Sequence, residues 1–550
     1  MKKLVKSLLA VGLSCSFLML GAACRVKDDV SKDPLTINVK VFKAGFGDEF
    51  IYELKQKFDA AFADKGYKLN ILRPEYGNAG TPMLQEMLRG YAKTNIDLYI
   101  TSAITPTQVS KDNEYTKGKE LCEDLEELVF NKTAIEYDGT ETENKISERI
   151  MSDLVPFLRA DDGTMYAFTW AQTSAGMVVN STKLAKYGVT ELPRTTNELF
   201  EIFDTIKASS ASSNTYPVTY ALNTGYQNCA IATWLAQYDI DAYNEFLRMQ
   251  TKGNDGTWTN MTDGAAVFEN PNIKEVLEVG FQFMDASYAA DGSSTQALDQ
   301  AQGLVMSDGA NQNNVVFMLN GDWFLNEVKA NYSSKLANIE FMNVPVISAL
   351  GTKLFTKYGL NAEKCDELLS YVCKLVDENK TVAQIVADVN ANFDGVTNLS
   401  EEDAQAVATA RGVCYTRGIE HVAFITKDSA KKDIAALALR MMASDDFANT
   451  FLRRANGSSP YTQNLTATSQ YKFVNEAAAL ATNIHYRGIS SRVAGLRYEV
   501  FRADTLLPGV SNLALTLYEK NRNTSYADAA TALYNQSIQK AREAWNAYNK

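Results

Sequence analysis

The side chains that most often carry chemistry are scarce in this 550-residue chain. Its two histidines, His421 and His485, have no cysteine cluster beside them. A transition-metal centre, which needs several imidazole or thiolate ligands together, is therefore not expected. Beyond residue 24 the cysteines are Cys122, Cys229, Cys365, Cys373 and Cys414, an odd number that excludes a fully paired disulfide framework. Cys365 and Cys373 stand eight apart in a helical stretch. Eight residues of helix rise about 12 Å, beyond the ~7 Å limit for bridged Cα atoms, so both read as packing residues. No glycine-rich phosphate loop appears. Carboxylates are plentiful, but no motif marks the facing pair that glycoside hydrolysis uses. One spacing fits a calcium loop of the EF-hand kind. Asn390, Asn392, Asp394, Val396, Asn398 and Glu401 stand at positions 1, 3, 5, 7, 9 and 12, with Gly395 at 6. A calcium ion there would be structural. The same residues also fit a turn followed by a helix capped by Ser400, with Asp403 three positions on. The 27 Tyr, 25 Phe and 5 Trp are the remaining resource, because rings in a cleft stack on flat apolar ligand faces while most others fill the core.

Positioning such groups requires a large folded body. The length implies two or more domains or one two-lobed unit. Acids outnumber bases by 66 to 54, and without Lys2, Lys3 and Lys6 by 66 to 51. Such a surface repels nucleic acid, which is bound through neutralised phosphates. Those three lysines precede an apolar run, Leu8–Leu20, and the small residues Gly21, Ala22 and Ala23. This is the pattern of a secretory signal peptide over 1–23, too short to span a bilayer. Residues 24–34, mostly charged, read as a flexible tether. No later run is long and apolar enough to cross a membrane.

Leu35, Ile37, Val39 and Val41 alternate with polar residues, as a strand does. Phe50, Leu54, Phe58 and Phe62 share one face of a helix after Asp48. Strands at Tyr67–Leu72 and Ile96–Ile100 enclose a second helix, Pro82–Tyr91. This βαβαβ order predicts a parallel sheet, with ligands beyond the carboxyl ends of its strands. Candidate loops are Gly45–Glu49, Glu75–Asn78 and Thr101–Ile104. A second α/β region follows from Thr173, with strands at Gly176–Asn180, Pro217–Leu222, Val315–Leu319 and Phe341–Val346. Helices are expected at Thr195–Lys207, across a helical insertion at 358–412, at Ala430–Met442 and Phe447–Arg454 on either side of a strand at His421–Ile425, and at Tyr526–Tyr548.

Three stretches resemble one family. Asp162-Gly163-Thr164-Met165-Tyr166-Ala167-Phe168-Thr169-Trp170 runs through Gly176–Asn180 to Leu192-Pro193-Arg194-Thr195-Thr196-Asn197-Glu198-Leu199. Phe317–Trp323 ends in Asn320-Gly321-Asp322-Trp323. Ala423-Phe424-Ile425 with Lys427 and Ser429 leads to Gly457-Ser458-Ser459-Pro460. In this order they resemble the maltose-binding-like carbohydrate solute-binding proteins of bacterial ABC importers. Cys24, directly after Gly21-Ala22-Ala23, resembles the lipidated cysteine of a bacterial lipobox.

The resemblance implies an α/β, two-lobed, type II periplasmic-binding-protein-like fold with discontinuous lobes. Residues 35–171 and 347–455 would form the first lobe, carrying the insertion, and 172–346 and 456–550 the second. It implies a monomeric, non-enzymatic protein, lipid-anchored at Cys24 on the extracellular face of the bacterial cytoplasmic membrane. Such a protein delivers an oligosaccharide to a permease by cleft closure and requires no cofactor. Sugar contacts would come from rings and planar polar groups: Trp323, Asp322, Trp170, Trp234, Asn223 and Tyr226, with Tyr76, Asp48 and Glu49 on first-lobe loops. Each has a simpler reading beside it. The tryptophans equally fit a core role, Asp322 a helix cap, and the loop residues solvated surface. A lipid-anchored glycoside hydrolase, or a binding protein for a peptide or other non-sugar solute, are the alternatives.

Overall fold

The computed structural model describes residues 28–43, 45–76, 80–113, 116–151, 154–160, 162–222, 226–248, 250–253, 255–290, 292–309, 313–416, 421–461, 466, 468–481, 485–487, 516–518 and 524–548. The signal segment, Cys24 and Asn223 lie outside them. Two mixed sheets, each covered by helices, form two lobes. In the first, the strand Thr36–Lys43 is central. It pairs in parallel with Lys68–Ile71, Glu75–Tyr76 and Leu98–Ser102, as the βαβαβ pattern requires. His421–Ile425, from far along the chain, then adds antiparallel to Leu98–Ser102 and pairs with Phe168–Thr169. The helix Glu49–Ala61 buries Phe50, Ile51, Leu54 and Phe58, the face set by their spacing of three to four.

The alternation in Thr36–Lys43 predicts one wet face, yet Asn38 and Lys40 are buried. Residues 28–31, read from sequence as flexible tether, lie along that face. Lys40 Nζ is 2.9 Å from Asp28 and 3.1 Å from Glu75. Ser31 N–H donates to Asn38 Oδ1 at 2.8 Å, and Asn70 Nδ2 donates to the Asp29 carbonyl at 2.8 Å. The tether is therefore docked from Asp28 onward, because the polar face of the strand is satisfied by it instead of by water.

In the second lobe, Ala175–Asn180 pairs antiparallel with Asn314–Gly321 and Ile339–Met342, and Thr215–Thr219 flanks Asn314–Gly321 in parallel. Cys414–Thr416 and His485–Arg487 extend the other edge. Helix Thr196–Ser213 starts with a full capping box between Thr195 and Glu198. The C-terminal helix, Tyr526–Tyr548, matches its sequence-derived bounds. All five cysteines beyond residue 24 are buried and unbridged, and no described helix is long and apolar enough to cross a membrane.

Both lobes are discontinuous, but two boundaries move, the one expected at 346/347 and the one expected at 455/456, since Pro460 and Tyr461 still pair with Met151 and Ile150 of the first lobe. The insertion consists of helices, Ala362–Asp377, Val382–Asn392 and Glu401–Gly412, as the pattern predicts. They belong to the second lobe, not the first. Asp377 accepts from both Arg194 and Arg411, Asp366 from Thr195 Oγ1 at 3.0 Å, and Glu198 from Ser370. The chain returns to the first sheet only between 416 and 421, so the crossover expected at 346/347 lies about seventy residues later. The other crossovers fall at 170–174 and between Tyr461 and Lys472. The apolar faces of the insertion find partners on second-lobe helices, and those long-range contacts decide its lobe.

Candidate functional site

The crossovers run side by side. Trp170 N–H donates to the His421 carbonyl at 3.2 Å, Gln172 N–H to Ser458 O at 2.7 Å, and Tyr461 Oη to Thr169 O at 3.1 Å. Around them an aromatic box closes. Phe46, from the loop after the first strand, lies edge-on to Trp170 (6.3 Å between centroids), Trp323 (6.1 Å), His421 (5.4 Å) and Phe451 (5.1 Å). Phe50 stacks on Trp170 at 5.4 Å and 26°. Such offset and edge geometries satisfy the ring quadrupoles and are worth about 0.5–1.5 kcal/mol a pair beyond area burial.

Trp323 is one point where the two lobes meet. It follows the strand Asn314–Gly321 and begins the helix Phe324–Tyr332. Its indole lies against Gly321, where a Cβ would come within 2.4 Å of the ring. On the other side stands Gly45 of the first lobe, at a φ of +48°, where a Cβ would sit 3.2 Å from the indole. Any larger side chain at Gly321 would push the ring away, and the positive φ at Gly45 favours glycine there. Tyr226, at the start of helix Tyr226–Tyr238, adds a third ring at 6.2 Å.

Polar groups line the same place. Asp322 is buried; its Oδ2 accepts from Ser174 N–H at 3.1 Å while its own N–H donates to Ser174 O at 3.0 Å. It makes no side-chain helix cap, since the cap position falls on Trp323. Burial pushes its carboxyl up to about 8, so at neutral pH it carries a proton and can donate. Asn320, Gln172 and Gln227 are buried too. Asn320 Oδ1 accepts from Gly321 N–H at 2.7 Å. Asn320 Nδ2, Gln227 Oε1, both amide atoms of Gln172 and Trp170 Nε1 have no hydrogen-bond partner among the described residues. A buried group left so costs about 1–3 kcal/mol. Gln172 and Asn320 stand two and three residues from Trp170 and Trp323, and Gln227 follows Tyr226, so these donors and acceptors lie on the segments that carry the box.

The sequence-derived candidates thus divide. Trp170, Trp323, Asp322 and Tyr226 come together at the crossovers. Trp234 does not join them: it is fully buried in the second lobe, its Nε1 donating to Pro345 O at 3.1 Å and its ring edge-on to Phe283. Tyr76, Asp48 and Glu49 stand at the first-lobe rim. Asp48 pairs with Lys43 at 2.7 Å, Lys43 Nζ lies 5.9 Å over the Tyr76 ring, and Glu49 is exposed. Sequence reasoning missed Phe46, Gln172, Gln227, Asn320, His421 and Phe451. Phe46 lies inside the candidate loop Gly45–Glu49, and Gln172 and Asn320 stand two and three residues from Trp170 and Trp323, but nothing local marks an amide as unpartnered.

The turn and the Ser400 cap are both present in the Asn390–Glu401 segment. Asn390 Oδ1 accepts from Leu399 N–H at 2.7 Å, Asn392 Nδ2 donates to Asp388 at 3.1 Å, and Ser400 Oγ accepts from Asp403 N–H at 3.1 Å.

No family model and no curated protein matches this chain. Solved structures do. The apo form of RafE from Streptococcus pneumoniae superposes with a TM-score of 0.52 at 13% identity, covering 92% of this chain and 100% of that one. The SBP RafE in complex with raffinose gives 0.51 at 12% identity over 92% and 99%. Maltose-bound T. maritima MalE3 gives 0.50 at 13% identity over 92% and 99%. The chain therefore has the two-lobed, type II binding-protein fold expected from its sequence.

Proposed function

We propose that this protein binds an oligosaccharide between its lobes and delivers it, by lobe closure, to the permease of an ABC importer. The observation that carries this reading is the meeting of Trp170 and Trp323 around Phe46, with the unpartnered amides of Gln172, Gln227 and Asn320 on the chain segments that bring these rings and Tyr226 together. A sugar presents an apolar C–H face and a rim of hydroxyls that each donate and accept, which is the complement of rings beside planar amides. The fold shared with RafE and MalE3, solved with raffinose and maltose, supports the same class of ligand.

Closure follows from the division of the site. Phe46 and Gly45 belong to the first lobe and Trp323, Asn320 and Gln227 to the second, so a ligand touching both sets favours the arrangement that brings them together. Lipid attachment at Cys24 completes the reading and places a monomer at the extracellular face of the cytoplasmic membrane. Since the chain is docked from Asp28, only three residues, and so four Cα–Cα steps, separate it from Cys24. Fully extended they span at most about 14 Å, so a lipid there would hold the first lobe close to the bilayer.

The experiment is a thermal-shift screen of oligosaccharides, with peptides in the same panel, followed by product analysis. A ligand that binds only the folded state raises Tm, by an amount that grows with the logarithm of one plus the ratio of ligand concentration to Kd. A glycan that raises Tm and is recovered intact supports the reading; a peptide response alone, or none, refutes it. Cleavage would favour a hydrolase.

A further inference from the structure

Three large apolar or aromatic side chains stand out as exposed among the described residues: Leu35, Tyr52 at 47% and Tyr76 at 65%. Leu35 precedes the strand Thr36–Lys43, whereas the two tyrosines flank its carboxyl end. Tyr76 is paired beside Lys43 in the parallel register, and Tyr52 projects from the first turn of the helix that follows the Phe46 loop. Lys43 links them: its ammonium lies 5.9 Å over the Tyr76 ring and 2.7 Å from Asp48. Both tyrosine hydroxyls are close enough to Lys43 to share its field. Isolated exposed rings are ordinary surface. This pair is not isolated, because it continues the site. Gly45, two residues beyond Lys43, lies against Trp323, and two residues of chain span at most about 7 Å.

We infer that Tyr52 and Tyr76 form an aromatic rim that receives a further sugar unit of a ligand whose inner unit sits at Trp323, so that the protein selects among oligosaccharides by chain length. The inference rests on the carbohydrate reading above. Its chemistry is the same on a wetter surface. The rings supply apolar faces to C–H groups, and the Lys43–Asp48 pair at their edge supplies a donor and an acceptor to hydroxyls. A partly hydrated stack is worth less than a buried one, so the rim adjusts preference and does not create binding by itself.

The test uses the full-length protein and a homologous series of the glycan that raises its Tm, from the shortest member that binds upward. Tyr76→Ala and Tyr52→Ala/Tyr76→Ala should weaken the longer members by about 2- to 10-fold per ring while leaving the shortest member unchanged. Tyr52→Phe/Tyr76→Phe, which keeps both rings, should retain the length preference. Thermal denaturation of each variant checks that the rim is not holding the fold. Equal loss for every length, or no loss for any, overturns the rim while leaving the carbohydrate reading standing. A wild-type protein silent to every glycan overturns both.

Discussion

Replacing Trp323 by alanine separates packing from binding. The indole is 8% exposed and has three ring neighbours, Phe46, Tyr226 and His421. Truncating a buried tryptophan costs about 3–5 kcal/mol, and three aromatic pairs at about 0.5–1.5 kcal/mol each reach a similar sum. The variant should therefore melt clearly below the wild type yet stay folded at room temperature, since each lobe keeps its own sheet. Binding should weaken for a different reason. Stacking in a cleft is worth about 1–3 kcal/mol, but Phe46 already lies edge-on to the indole, so the ligand exchanges one contact for another. The lower part of the range is expected, about 1–2 kcal/mol, or a 5- to 30-fold rise in Kd. Calorimetry with the identified glycan, well below both melting temperatures, reads it. Trp323→Phe should recover most of the affinity. A lowered Tm with an unchanged Kd would refute the reasoning: Trp323 would then be packing alone, and the ligand would have to be sought around Trp170 and Gln172.

The remaining expectations follow from the same geometry. Gly321→Ala places a methyl group 2.4 Å from the indole ring and should destabilise by about 1–3 kcal/mol through overpacking, with weaker glycan binding; wild-type stability by thermal denaturation would contradict the Gly321–Trp323 contact. Asp322 has a folded-state value raised to about 8 from 3.8, so the native state holds a proton that the unfolded chain releases. Its contribution to stability therefore declines as pH rises from about 4 to 8 and levels off above. Asp322→Asn should raise Tm more at pH 8–9 than at pH 5, and an equal change at both would refute the assignment. Ser400→Ala should cost about 1 kcal/mol by removing the cap of helix Glu401–Gly412; a Tm that calcium raises in the wild type but not in Glu401→Gln would instead assign the loop to the ion. Cys24→Ser should lose acyl labelling and leave the membrane fraction, and an unlabelled wild type would remove the anchor.

Much of this fold is written locally. The period of four in Phe50, Leu54 and Phe58, the Thr195–Glu198 capping box and the 23-residue helix Tyr526–Tyr548 are read from neighbours along the chain, which is where the forces that make them act. The order of strands and helices follows, and with it a two-lobed body whose segments alternate. What the sequence leaves open is which surfaces meet. The insertion at 358–412 has a clear apolar face, but only its contacts with Arg194, Thr195 and Glu198 assign it to the second lobe. The alternation around Asn38 and Lys40 marks a polar face, yet not that Asp28–Ser31 covers it. Three tryptophans look equivalent in sequence. All three are buried, but Trp234 packs within the second lobe while Trp170 and Trp323 meet Phe46 at the crossovers, because Phe46 comes to them from a hundred or more positions away. An unpartnered amide such as Gln172 is defined by what does not approach it, and that is a property of the whole tertiary structure.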